Sequence, residues 1–149
     1  MPDAAPEFGP GDFKAASGAD DAAMDRLLRY ETILRQTNAH TNLVSPASLA
    51  GLWKRHILDC AQLVDLIPPS TRSLIDIGSG AGLPGLVIAA LRPALPVTLV
   101  ESIEKKCAFL RAAAEAMGLH NVAIRRERAE AIQGLTADVI TARAVAPIA

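Results

Sequence analysis

The chain has 149 residues, half of them hydrophobic and only 3% aromatic, which supplies an aliphatic core for one domain and excludes global disorder. Fifteen Lys and Arg against sixteen Asp and Glu leave a net charge of −1, so a polycationic coat is excluded and any nucleic-acid site must be a local patch. The longest apolar run, near Leu86–Leu91, is far below the ~18 residues of a membrane span; the acidic N-terminus lacks a signal pattern, and Cys60 and Cys107 make neither a disulfide framework nor a zinc knuckle, so a soluble cytoplasmic α/β domain is expected.

Residues 1–20, rich in Pro, Gly, Ala and Asp and without periodicity, read as a mobile tail. From Asp21 the pattern turns helical: Met24, Leu27, Leu28, Ile33 and Leu34 recur at one-face spacing, with Arg26, Arg29 and Arg35 opposite. Asn38 to Pro46 is a connection rich in capping residues. A second helix is predicted from Ala47 to about Ile67, ended by Pro68 and Pro69. Residues 21–69 thus form a helical segment ahead of a different unit, 70–149.

In that second unit Ser73–Ile77 predicts a strand, followed by the Gly-rich GSGAGLPG. Pro84 suits a first helical turn and Gly85–Leu91 an apolar helix. Pro96–Val100 predicts a second strand closing on Glu101. Ser102 is placed to cap a helix over Ile103–Met117, and Gly118 to stop it. Val122–Arg126 and Val139–Ala142 read as third and fourth strands. Strands alternating with helices imply parallel pairing and right-handed crossovers, the first half of an open α/β sheet.

The chemistry concentrates in Asp76-Ile77-Gly78-Ser79-Gly80-Ala81-Gly82. Glycines at the carboxyl end of a first strand let the chain turn sharply and let a ligand touch backbone. Glu101 ends the next strand about twenty residues on, where a carboxylate accepts from both hydroxyls of a ribose. Nicotinamide sites want G-x-G-x-x-G and a P-loop wants Gly-Lys-Ser/Thr, whereas this loop is G-x-G-x-G preceded by Asp76. That form, with Gly78, Gly80 and Gly82 as its glycines, resembles the S-adenosylmethionine loop of Rossmann-like methyltransferases. Asp76 can serve a cationic ammonium, and no diphosphate needs the helix N-terminus.

Taken together, Asn42-Leu43, Arg55-His56-Ile57-Leu58-Asp59, the loop continued through Leu83-Pro84-Gly85, Arg92-Pro93 and Glu101-Ser102 resemble one family closely. Lys105-Lys106, Phe109-Leu110, Arg128-Ala129-Glu130 and Thr141-Ala142-Arg143 continue the match. The sequence resembles the family of ribosomal RNA small-subunit methyltransferase G, also called glucose-inhibited division protein B, from about Asp21 onward. The resemblance implies methyl transfer from S-adenosylmethionine to N7 of a guanine in small-subunit (16S) ribosomal RNA, on an RNA or ribosomal particle, by a Rossmann-like fold preceded by N-terminal helices. By position it implies that Gly78 and Leu83 contact the cofactor, that Ala129 and Glu130 flank its adenine, and that Arg143 binds between cofactor and RNA. Thr37 departs from the aromatic that the family often carries there. The family's sheet also continues beyond the fourth strand, so a shortened, partial parallel sheet is expected, with Val139–Ala142 as an exposed apolar edge.

Guanine N7 has a free lone pair and no proton, so its attack on a sulfonium methyl needs no general base. Aligning nucleophile, methyl and sulfur is the task, and no proton-transfer residue is assigned. Arg55, His56 and Asp59 are expected on one helix; spacing alone favours an Arg55–Asp59 pair on a solvated face, whereas the resemblance implies that they line the substrate mouth or hold the helix against the cofactor loop. His56 and Cys60 have metal-like spacing but lack further ligands, so zinc is rejected. Lys105, Lys106, Arg111, Arg125, Arg126 and Arg128 are candidate phosphate contacts, unless Glu104, Glu115 and Glu127 merely balance them. Two other readings stand beside the favoured one: a small-molecule methyltransferase of this fold, and a non-catalytic cofactor-binding fragment.

Overall fold

The computed structural model describes residues 7–131 and 134–142. In chain order it contains α1 (Pro10–Ser17), α2 (Asp21–Asn38), α3 (Pro46–Ala50), a π-helical stretch (Leu52–Ile57) and α4 (Leu58–Val64). β1 (Leu74–Ile77), α5 (Gly85–Leu91), β2 (Val97–Glu101), α6 (Glu104–Ala116), β3 (Val122–Arg126), a 3-10 turn (Ala129–Ala131) and β4 (Val139–Ala142) follow. The strands form one parallel sheet in the order β3-β2-β1-β4. β1 and β2 lie inside and are almost wholly buried, whereas β3 and β4 lie outside and are half open. A strand buried on both faces must read as a continuous apolar run, as Leu74-Ile75 and Leu99-Val100 do.

The crossover helices are apolar for the same reason. α5 buries every residue from Gly85 to Ala90, and α6 buries Cys107, Phe109, Leu110, Ala113 and Ala114. Gly118, at φ 69°, ends α6. Its N–H donates to the Glu115 carbonyl at 3.0 Å and that of Leu119 to Ala114 at 3.0 Å, satisfying two orphan carbonyls. α2 packs on α5 and α6, and α4 on α5. One apolar cluster therefore runs from Phe13 through Leu27 and Leu34 to Leu86, Leu110 and Met117.

Four local expectations are corrected. Residues 10–17, read as tail, form α1, because Phe13 is fully buried with its ring 5.5 Å from that of Trp53. The helix expected from Ala47 to Ile67 is interrupted at Gly51, passes through the π-helical stretch and ends at Val64, where Leu66 and Ile67 turn back on Leu63 and Val64. Ser102 does not cap α6; the cap position falls on Ile103, whose N–H donates to Glu101 Oε2 at 2.9 Å. On α2, Tyr30 occupies the buried face while Leu28 is 41% exposed, and Arg26 turns inward so that its Nε donates to the Ala90 carbonyl at 2.9 Å.

Candidate functional site

The site begins where β1 ends. Gly78, Gly80 and Gly82 hold φ of 70°, 54° and 90°, so every second residue of the loop is left-handed. At Gly82 the requirement is doubled: a Cβ there would lie 2.4 Å from Leu86 Cδ1, so a side chain would push α5 away. The loop is tied to β2. Gly78 and Ser79 donate N–H groups to the Val100 carbonyl at 2.8 and 3.2 Å, and Gly82 donates back to Ser79 at 2.7 Å. Ser79 Oγ donates to the Asp76 carbonyl at 3.1 Å.

Glu101 joins the two halves. It is 6% exposed; Oε1 accepts the Gly80 N–H at 2.9 Å and Oε2 accepts that of Ile103. Each oxygen keeps a further lone pair for a ligand hydroxyl. Its own carbonyl accepts the Glu127 N–H at 3.0 Å and the Cys107 thiol at 3.2 Å. Burial pushes the Cys107 thiol above its ordinary range, against a smaller opposing pull from Arg111, so this cysteine is a neutral structural donor.

Two lobes of one cleft, about 380 and 390 Å³, meet at Gly78 and Glu101. The first is lined by Leu43, Val44, Ser48 and His56 from the N-terminal segment, by Ser79, Gly80, Ala81 and Leu83 of the loop, and by Lys106. The second is lined by Ile77, Val100, Ser102, Glu127, Arg128, Ala129 and Glu130. Thus the expected site residues Gly78, Gly80, Leu83, Glu101, His56, Arg128, Ala129 and Glu130 converge on the carboxyl ends of β1 and β2, where open α/β sheets bind ligands.

Others do not converge. Asp76 is fully buried and lines neither lobe; the alternation along β1 turns it toward α5, where it accepts from Thr141 Oγ1 at 2.8 Å. The structure thus places Asp76 beneath the loop, and the ammonium-facing role expected of it stands as an expectation. Gly82 also supports the loop from behind. Arg55 is exposed, and its side chain lies over Gly51 rather than in the cleft; no ion pair joins it to Asp59 among the described residues. Arg143 lies outside the described residues. Sequence reasoning assigned no site role to Leu43, Val44 and Ser48, although Leu43 stood in the matching Asn42-Leu43 pair and the capping-rich connection pointed to a segment that folds around Asn38. Its Oδ1 accepts the N–H groups of Leu43 and Val44 at 2.8 and 3.0 Å. It also missed Tyr30, whose hydroxyl donates to the Ala81 carbonyl at 2.7 Å.

The second lobe has a definite electrostatic character. Glu101, Glu127, Glu130 and Arg128 all line it; Glu127 Oε1 pairs with Arg125 at 2.7 Å, and its Oε2 is a buried acceptor with no hydrogen bond among the described residues. Acceptors such as Glu101 and Glu127 Oε2 suit the hydroxyl and amino groups of a nucleoside.

Comparison with solved structures places the fold. A mutant of MtNAS in complex with S-adenosylmethionine aligns with TM-score 0.54 at 15% identity, covering 94% of this chain and 59% of that one. Coclaurine N-methyltransferase bound to N-methylheliamine and SAH aligns with TM-score 0.52 at 15% identity, covering 90% and 51%. The partial sheet with its N-terminal helices is a Rossmann-like methyltransferase fold. Among curated proteins, ribosomal RNA small subunit methyltransferase G of Parvibaculum lavamentivorans is 48% identical over 141 residues, covering 91% of this chain and 62% of the relative. The protein of the same name from Rhodospirillum centenum is 45% identical over 145 residues, covering 97% and 66%. The chain thus spans a little under two thirds of the length of these relatives. Residues 23–149 match the family model described as rRNA small subunit methyltransferase G, GidB. The chain belongs to the rRNA small subunit methyltransferase G family.

Proposed function

We propose that the chain forms the S-adenosylmethionine-binding part of an enzyme that methylates N7 of a guanine in small-subunit (16S) ribosomal RNA, in the cytoplasm, on the RNA or a ribosomal particle. The observation that carries this reading is the second lobe, where a glycine floor, Glu101 and the Arg128–Glu130 turn surround a carboxylate-rich cavity at the ends of β1 and β2. Glu101 would accept from the ribose hydroxyls, Ala129 and Glu130 would flank the adenine, and Gly78 and Leu83 would let the methionine portion run along the loop. When bound, the cofactor supplies an electrophilic methyl group on a sulfonium sulfur.

No base is needed at guanine N7, so the residues of this chain hold and align rather than move protons. His56 and Lys106 line the first lobe and Arg128 the second, and Arg143 follows β4 in the sequence. These are the groups proposed to meet the RNA. Family membership and the printed names of the relatives support the substrate class.

The test is a calorimetric titration of the chain with S-adenosylmethionine beside Gly78→Asp. Aspartate tolerates a left-handed backbone better than most residues, so the variant should fold while placing a carboxylate on the floor shared by both lobes. Binding by the parent chain and its loss in the variant is expected. In parallel, labelled S-adenosylmethionine is supplied with unmethylated small-subunit particles, and label in 7-methylguanine is the expected product. Label in a small-molecule acceptor with none in RNA would overturn the substrate assignment, and absence of cofactor binding would overturn the site.

A further inference from the structure

The glycine loop is anchored to the sheet by its own neighbours, but one of its restraints comes from 51 residues away. Tyr30 is fully buried on the inner face of α2, and its hydroxyl donates to the carbonyl of Ala81, which lies between Gly80 and Gly82. That carbonyl shares a peptide plane with the Gly82 N–H, which donates to the Ser79 carbonyl at 2.7 Å. The Ser79 carbonyl shares its plane with the Gly80 N–H, which donates to Glu101 Oε1 at 2.9 Å. Hydroxyl, peptide, peptide and carboxylate therefore form one head-to-tail series, with every dipole pointing the same way. Such series polarise one another. Because the planes are flanked by glycines at positive φ, the barrier to turning them is low, and their orientation depends on what holds the two ends.

We propose that Tyr30 is a positioning residue of the cofactor site, acting through the peptide planes 81–82 and 79–80 to fix the Glu101 carboxylate. This deepens the cofactor-binding role proposed above and rests on it for its functional meaning. The N-terminal helices then have a task beyond adding to the core, because α2 sets the geometry of the loop that would hold the ligand. Removing the hydroxyl leaves the buried Ala81 carbonyl without this donor, and the series loses its first member while the ring still fills its place.

The variant is Tyr30→Phe, read in two ways on the 149-residue chain. In the ligand-free chain, amide exchange at Gly80 and Gly82 should accelerate roughly fivefold, the loss of about one ordinary hydrogen bond, while Val87 and Ile88 of α5 keep their rates. In titrations, the Kd for S-adenosylmethionine should rise by roughly the same factor. That rise should vanish when the variant is made in a Glu101→Ala background, because the two residues act in one series. Unchanged exchange at both glycines, or equal acceleration throughout α2 and α5, would overturn the proposal and leave Tyr30 as a core residue. Loop-specific acceleration in a chain that binds no S-adenosylmethionine would overturn its cofactor role, together with the reading of the site, while the coupling to the loop stands.

Discussion

Asp76 and Gly85 lie behind the loop, off the lining of both lobes of the cleft. The Asp76 carboxylate lies under the first turn of α5, and a Cβ on Gly85 would sit 2.6 Å from Asp76 Oδ2 and 2.3 Å from Leu99 Cδ2. Both are terminal side-chain atoms, but both side chains are fully buried and have no room to swing aside. Gly85→Ala is therefore an overpacking mutation at the junction of β1, β2 and α5, expected to cost about 1–3 kcal/mol. The helix would be displaced from the sheet, and Gly82, whose absent side chain admits Leu86, would move with it. Urea denaturation should show a lower midpoint with an unchanged slope. A midpoint equal to that of the parent would mean that α5 sits farther from β1 than described. The motif's acidic residue and its last glycine were legible as types. What an isolated sequence does not carry is which face of a short strand meets the helix, because one step along β1 exchanges the cleft for the core.

At the scale of elements, punctuation decided what could be read. β1, α5, β3 and β4 were legible because apolar runs end at Gly, Pro or charged residues, and their predicted bounds match to within a residue. α1 lacked that signal: in eight residues it buries only Phe13. Its real markers are local, with Pro10 at the first position, Asp12 accepting the Gly9 N–H at 2.8 Å and Gly18 closing the helix at φ 71°. If α1 belongs to the core, Phe13→Ala should destabilise the chain by about 3 kcal/mol or more, seen as a fall in melting temperature; a detached tail would give no change. β4 poses the opposite problem. It is an edge strand among the described residues, and Ile140 on it is 62% exposed. Unpaired backbone beside an apolar side chain invites edge-to-edge pairing, which a lysine suppresses. Ile140→Lys should lower self-association in sedimentation velocity while leaving the melting temperature close to the parent's, since no buried contact is removed.

For the whole molecule, a net charge of −1 is compatible with an RNA substrate only if cations near the cleft are free to meet phosphate. Six were candidates from sequence, and sequence had no means of choosing among them because pairing depends on how α6 and β3 sit side by side. The fold divides them. Arg125 pairs with Glu127 at 2.7 Å, while Arg126 and Arg111 share Glu104 at 3.1 and 3.4 Å. Lys105, Lys106 and Arg128 have no ion pair among the described residues, and the last two line the cleft. The paired arginines are exposed enough that each bridge is weak, but a phosphate must compete with a carboxylate already in place. If the RNA meets Lys105, Lys106 and Arg128 of the six candidates, binding of a single-stranded ribosomal RNA segment follows log K against log salt with a slope of about −2. Lys106→Ala should make that slope shallower by about 0.7, whereas Arg111→Ala should leave it nearly unchanged. A slope near −4 in the parent chain would instead mean that RNA draws the paired arginines away from their glutamates. Binding insensitive to salt would place the RNA contact away from this cleft altogether.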